Sequence, residues 1–186
     1  MNAQPNIGRP PNSLLIFAAI ALLLGVAGTA SIALYLGAFN QPVLSRVTAP
    51  GYRLFYIGHT GPYNEIKDVF KQAKSTLEGA GITPVAPAAL FLDDPARVAR
   101  EKLRSRIGYL VHDGDRLPAG LAEEIVGARE IIDASFNGSP MIGSYKAYPA
   151  MRQWSADHHY QLALPSLEIY YPDGHVEYQL PIQRVQ

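Results

Sequence analysis

The sequence predicts an α+β fold behind a single transmembrane helix. Three observations predict it. An uncharged apolar run lies near the N-terminus. Short segments rich in aromatic and β-branched residues are spread along the rest. Two stretches with helical spacing of apolar residues are set among those segments. The order reads strand–helix–strand–strand and then repeats. It suggests an internal duplication: duplicated βαββ units forming one antiparallel-rich sheet, with two helices on one face.

The apolar run comes first. Arg9 is the only charged residue before position 41, and all sixteen acidic residues follow it. The run LLIFAAIALLLGVAGTASIALYLGAF exceeds the roughly 20 helical residues that cross a bilayer. Tyr35 and Phe39 stand near its end, where interfacial aromatics are common. The competing reading is a cleaved signal peptide, with AGTASIA as the small-residue zone. The run continues past that zone through LYLGAF, which favours an uncleaved anchor. The expected division is a flank (1–12), a transmembrane helix (13–39), a linker (40–49) and a folded domain (50–186).

The domain carries fifteen Lys and Arg against sixteen Asp and Glu, a balance that disfavours a nucleic-acid partner. With no Cys, disulfides, thiolate metal sites and a Cys nucleophile are excluded.

Residues 43–47 read as a short extended segment and 52–59 (YRLFYIGH) as a strand. Thr60-Gly61-Pro62 breaks it, and a helix is expected over 63–78. There Ile66, Val69, Phe70, Ala73 and Leu77 recur at three- and four-residue spacing, and Gly79 and Gly81 close the helix. Strands follow at 88–93, 107–112 and 130–136. A second helix is expected over 142–158, kinked or started late by Pro149. Residues 167–171 and 175–182 flank Pro172-Asp173-Gly174, a hairpin signal, with Val176, Tyr178, Leu180 and Ile182 on the core side.

Glu168 is the sharpest site candidate. It interrupts an apolar strand, and alternation places it on one face with Tyr170. If both faces are covered, its carboxylate is desolvated and seeks a cation or a donor. The alternative is a solvent-facing Glu paired with a surface Arg. Phe91, Tyr109, Tyr63, Trp154 and Tyr170 are the aromatics placed to line a cleft, against the plainer reading of ordinary core. Aromatic walls around a carboxylate suit a lipophilic cation. His158 and His159, neighbours on a helix, point about 100° apart and make a poor metal pair. Asp93 and Asp94 before Pro95 read as a strand-ending turn, and His59 as a turn residue. No metal or cofactor is expected, and no GxSxG elbow, Walker loop or Rossmann fingerprint occurs.

Three blocks carry a family resemblance: HTGPYNEI at 59–66, LFLDDP at 90–95 followed by EKLRSRIGYLV at 101–111, and SLEIYYPDG at 166–174. They resemble the GyrI-like small-molecule-binding domain, also called the effector-binding domain of multidrug-responsive regulators. The layout is similar to the family's membrane-anchored branch, whose animal member is testis-expressed protein 264. The likeness is strengthened by SYKAYPAMRQW at 144–154. Past the last strand the sequence departs from that branch, so a receptor role carried by a disordered tail is not expected. No helix-turn-helix is expected either. The resemblance implies two βαββ units forming a concave sheet. It also implies a cleft between the halves for apolar, often cationic, compounds, and a ligand-facing Glu that maps onto Glu168.

The function expected is binding of a small apolar or cationic ligand by a bilayer-anchored domain. The runner-up is hydrolysis of a small activated molecule in the same cleft, with Glu168 acting on a water and Tyr170 as proton donor. A third reading is a scaffold with a vestigial cleft.

Overall fold

The computed structural model describes residues 12–185. The chain divides into two compact units after Phe39. The expected N-terminal flank lies outside the described residues except for its last position.

Helix α1 (Asn12–Tyr35) forms the first unit. Its 24 residues span about 36 Å at 1.5 Å each, enough for a hydrocarbon core of about 30 Å. Its stretch Ser13–Tyr35 is long and apolar enough to cross a membrane. Two polar side chains are satisfied within the helix: Thr29 Oγ1 donates to the Gly25 carbonyl and Ser31 Oγ to that of Ala27. The helix stops at Tyr35, short of the expected 39, and a turn with Gly37 at φ 75° follows.

The second unit is α+β, with nine strands paired only antiparallel. Strands β1 (Val43–Ala49) and β2 (Tyr52–Thr60) precede α2 (Lys67–Gly79). Then come β3 (Ala86–Phe91), β4 (Arg104–Leu110), β5 (Ala122–Val126) and β6 (Arg129–Asn137). Helix α3 (Pro140–Asp157) is followed by β7 (Tyr160–Leu162), β8 (Ser166–Tyr170) and β9 (His175–Arg184). The sheet order is β1-β6-β9-β8-β3-β4-β2-β5, with β7 pairing β9 off that path.

The duplicated order is present as β2-α2-β3-β4 and β6-α3-β8-β9. Each half has one more strand in front, and those leaders are exchanged: β1 pairs with β6 of the second half, and β5 with β2 of the first. Strands β1 and β2 therefore stand first and seventh in the sheet path, yet only Pro50 and Gly51 join them. Likewise Gly127 and Ala128 alone join β5 to β6. Two-residue links between strands six places apart in the path require the sheet to roll back on itself. A contact across the interior shows the closure: Gln179 Nε2 of β9 lies 3.0 Å from Tyr52 Oη of β2, four places away in the path.

Register sorts the two faces. Ala89, Glu168, Tyr178 and Ala134 form one row on the outer face, which both helices cover. On it Ala73 and Leu77 of α2 pack with Phe55 and Tyr109, while Ala147 and Met151 of α3 pack with Phe136, Val176 and Tyr178. The inner face buries Leu54, Ala88, Leu90, Val126, Leu167 and Ile169 against one another with no helix among them. Apolar residues on both faces of one strand follow from this closure.

Several boundaries differ from expectation. Helix α2 starts at Lys67 rather than Tyr63, because residues 63–66 turn to carry Tyr63 under β3 and β4. Residues 43–49, expected as a linker with a short extended piece, form a full strand because β6 offers a ladder partner. Pro149 neither delays nor ends α3, which runs nine residues before it. Its side chain faces solvent, and the loss is confined to the donor it denies the Tyr145 carbonyl. Strands β5 and β7 carry no clear apolar alternation and were not expected.

Candidate functional site

Glu168 sits at the centre of β8, between β9 and β3. Alternation turns it to the outer face, under both helices. It is 6% exposed, and no ion pair reaches it among the described residues. Two tyrosines hold it instead. Tyr148 of α3 donates to Oε1 at 2.7 Å, and Tyr170 of β8 donates to Oε2 at 2.7 Å. Ser166 Oγ lies 3.3 Å from the Tyr148 hydroxyl. Burial pushes the Glu168 carboxyl up to about 7, and the two tyrosine bonds only partly oppose that. The same burial, with Glu168 beside them, raises both tyrosines well above their usual range.

Aromatic rings extend from this carboxylate into both halves. Phe70 of α2 meets Tyr170 edge-on at 5.7 Å and Tyr109 at 6.0 Å. Tyr148 meets Tyr178 at 5.9 Å. Tyr63 and Phe91 pair at 4.4 Å and pack in one cluster with Phe70 and Tyr170. Each helix thus brings one aromatic to the Glu168 row. The duplication is visible in the register as well: Ala89 stands directly opposite Glu168, with Phe91 and Tyr170 two residues beyond each.

The structure therefore gathers Glu168, Tyr170, Phe91, Tyr63 and Tyr109 at the junction of the halves. The Tyr63 hydroxyl is occupied by backbone: it lies 3.0 Å from the carbonyls of Asp93 and Arg104 and accepts the Asp93 N–H at 3.1 Å. Trp154 is placed elsewhere. Its ring neighbours are His158 at 4.4 Å and Tyr160 at 5.6 Å, with Arg46 over Tyr160. Asp93 closes a turn as expected, clamped by the Arg104 guanidinium at 2.7 and 3.0 Å and by its backbone N–H at 2.8 Å. His59 lies within β2, not in a turn, and its Nε2 is buried without a partner.

Tyr148 is the residue sequence reasoning missed. Its signal was its spacing: it lies three residues before buried Met151 and seven before buried Ser155, on the inward stripe of α3. Its other side borders an open groove of about 560 Å³ on α3, lined also by Ser144, Tyr145, Pro149 and Arg152. Tyr148 thus both bonds the buried carboxylate and lines the groove.

A family model, the GyrI-like small molecule binding domain, matches residues 45–183. Among curated proteins none matches the chain. Solved structures share the fold. The EcmrR C-terminal domain matches with a TM-score of 0.64 at 16% identity, over 77% of this chain and 99% of that one. SAV2435 bound to tetraphenylphosphonium matches at 0.53 and 10% identity, over 77% and 94%. A hydrolase from Listeria innocua matches at 0.52 and 11% identity, over 78% and 95%.

Proposed function

The chain belongs to the GyrI-like small-molecule-binding family, and we propose that it binds a lipophilic cation at Glu168 while α1 holds the domain at a bilayer. One observation carries the reading: a carboxylate buried among aromatic rings from both halves, with no ion pair among the described residues. A buried acid without a counter-charge favours a ligand that supplies one. Rings around it add cation–π attraction. Tyr148 and Tyr170 each occupy one lone pair of the carboxylate, and each oxygen keeps a second. Turning Tyr148 outward joins the site to the groove on α3. Anchoring rests on α1, and with it the likeness to the membrane-anchored branch.

The experiment is a pair of titrations, with tetraphenylphosphonium and an uncharged aryl compound of similar size, on wild type and Glu168→Gln. The variant should weaken the cation by about 2–5 kcal/mol and the neutral compound much less. Equal losses, or none, would remove Glu168 from charge recognition. Wild-type affinity for the cation should also rise about tenfold from pH 6 to pH 8, since only the ionised carboxylate attracts it. Hydrolysis is the second reading, favoured by the 2.7 Å Tyr170–Glu168 contact, which pairs a base with a proton donor. Turnover of an activated ester, lost in Glu168→Gln, would promote it.

A further inference from the structure

The interior of the roll contains a second buried carboxylate, on the opposite face of the sheet from Glu168. Asp133 of β6 stands directly across the ladder from Gln179 of β9, and both point inward. Their exposures are 9% and 3%. The amide nitrogen of Gln179 lies 3.0 Å from Tyr52 Oη and 3.1 Å from Glu177 Oε2. The second contact orients the amide, with its nitrogen donating to the Glu177 oxygen. Oε1 of Gln179 is then left buried with no donor. So is Oδ1 of Asp133 on the opposed residue. These two buried acceptors belong to residues paired across one ladder, and a proton on Asp133 would give the pair a donor.

We propose that Asp133 is protonated in the folded protein and that its hydroxyl donates to Oε1 of Gln179, making a proton-operated clasp across the roll. The chain of bonds runs from β6 to β9 and, through the same amide, to β2 on the far wall. Releasing the proton leaves two acceptors opposed and loosens the closure. The charged and titratable groups around Asp133 fit this state. Glu177 of β9 disfavours a second negative charge there, and it lies 3.7 Å from His175 Nε2. Tyr52 of β2 and Tyr171 after β8 complete the cluster, and Ser45 is the neutral partner on β1. Arg129, on β6 itself, makes no ion pair with Asp133, and its Nη2 is buried without a partner. Burial and Glu177 together push the Asp133 carboxyl up to about 7. The clasp is independent of the Glu168 reading.

The test uses the full chain in detergent micelles, isotope-labelled, with Asp133 and Gln179 assigned through their own backbones. The side-chain carboxyl resonance of Asp133 should titrate with a midpoint about 7, and the Gln179 side-chain amide should move with the same midpoint. A midpoint in the ordinary range, about 4, would overturn the clasp. An Asp133 midpoint about 7 with a silent Gln179 would overturn the donation. Asp133→Asn gives a second readout, since its Nδ2–H mimics the hydroxyl. The melting temperature of Asp133→Asn should exceed wild type by a gap that widens by several degrees from pH 5 to pH 8.5. Glu168 is present in both proteins and cancels from that gap. A constant gap overturns the proposal.

Discussion

At the scale of single residues, Glu168 combines two opposed tendencies. Its tyrosine bonds favour the ionised form, and its burial disfavours it more. The consequence for stability has a definite sign. Between about pH 4.5 and 7 the folded protein holds a proton that the unfolded chain releases, so stability falls as pH rises through that window. The slope from this one group is at most about 1.4 kcal/mol per pH unit. Glu168→Gln should flatten that part of the profile and leave the variant the more stable protein at pH 8, measured by denaturant melts at several pH values. Tyr148→Phe acts in the other direction. It removes the donor to Oε1 and should destabilise the fold by about 1–3 kcal/mol while raising the Glu168 carboxyl further. An unchanged denaturation midpoint in that variant would mean that the 2.7 Å contact contributes nothing in solution.

Among the elements, glycine positions show how closely helix and strands approach. A Cβ on Gly143 of α3 would stand 2.3 Å from the Tyr178 hydroxyl and 2.8 Å from Phe136 Cδ1. That hydroxyl donates to the Pro140 carbonyl at 2.7 Å, so it cannot retreat without losing a bond. Gly143→Ala should therefore lift the first turn of α3 and cost about 1–3 kcal/mol. Gly108 is tighter. A Cβ there would meet the Phe55 carbonyl oxygen at 1.9 Å and Tyr56 Cα at 2.7 Å, both backbone, so Gly108→Ala should prevent the β2–β4 pairing and abolish soluble folded yield. Much of this layer was legible in the sequence. Ile66 to Leu77 spacing marked α2, Asp173-Gly174 marked the last hairpin, and Glu168 within an apolar strand marked a buried carboxylate. The rest was not, for physical reasons. Strand β5 (AEEIV) has its carboxylates paired to Arg53 and Arg106, a stabilisation that leaves no apolar period to read. Helix α3 mixes Tyr, Lys and Pro around its circumference, so Tyr148 did not stand out as inward. The inward polar residues, Asp133 and Gln179, are buried by the roll, which strand alternation alone does not reveal.

For the whole molecule, the division after Phe39 predicts that residues 40–186 are separable from α1. That fragment should remain in the supernatant after ultracentrifugation without detergent, whereas the full chain should sediment with bilayers. A fragment that sediments too would show that the second unit itself enters lipid. The exchange of leading strands between the halves has a further consequence, in time rather than in space. Arg46 of β1 pairs with Glu130 of β6, 84 residues later in the chain. At a synthesis rate of about 5–20 residues per second, β1 emerges roughly 4–17 s before its partner exists. During that interval neither half has its full complement of strands, because each leader belongs to the other. The nascent chain is then an apolar helix followed by an unpaired edge strand, with Val43 and Val47 exposed on it. Such an edge invites pairing with other chains. The interval before residue 130 is made is therefore the stage at which this chain is most open to pairing with its neighbours.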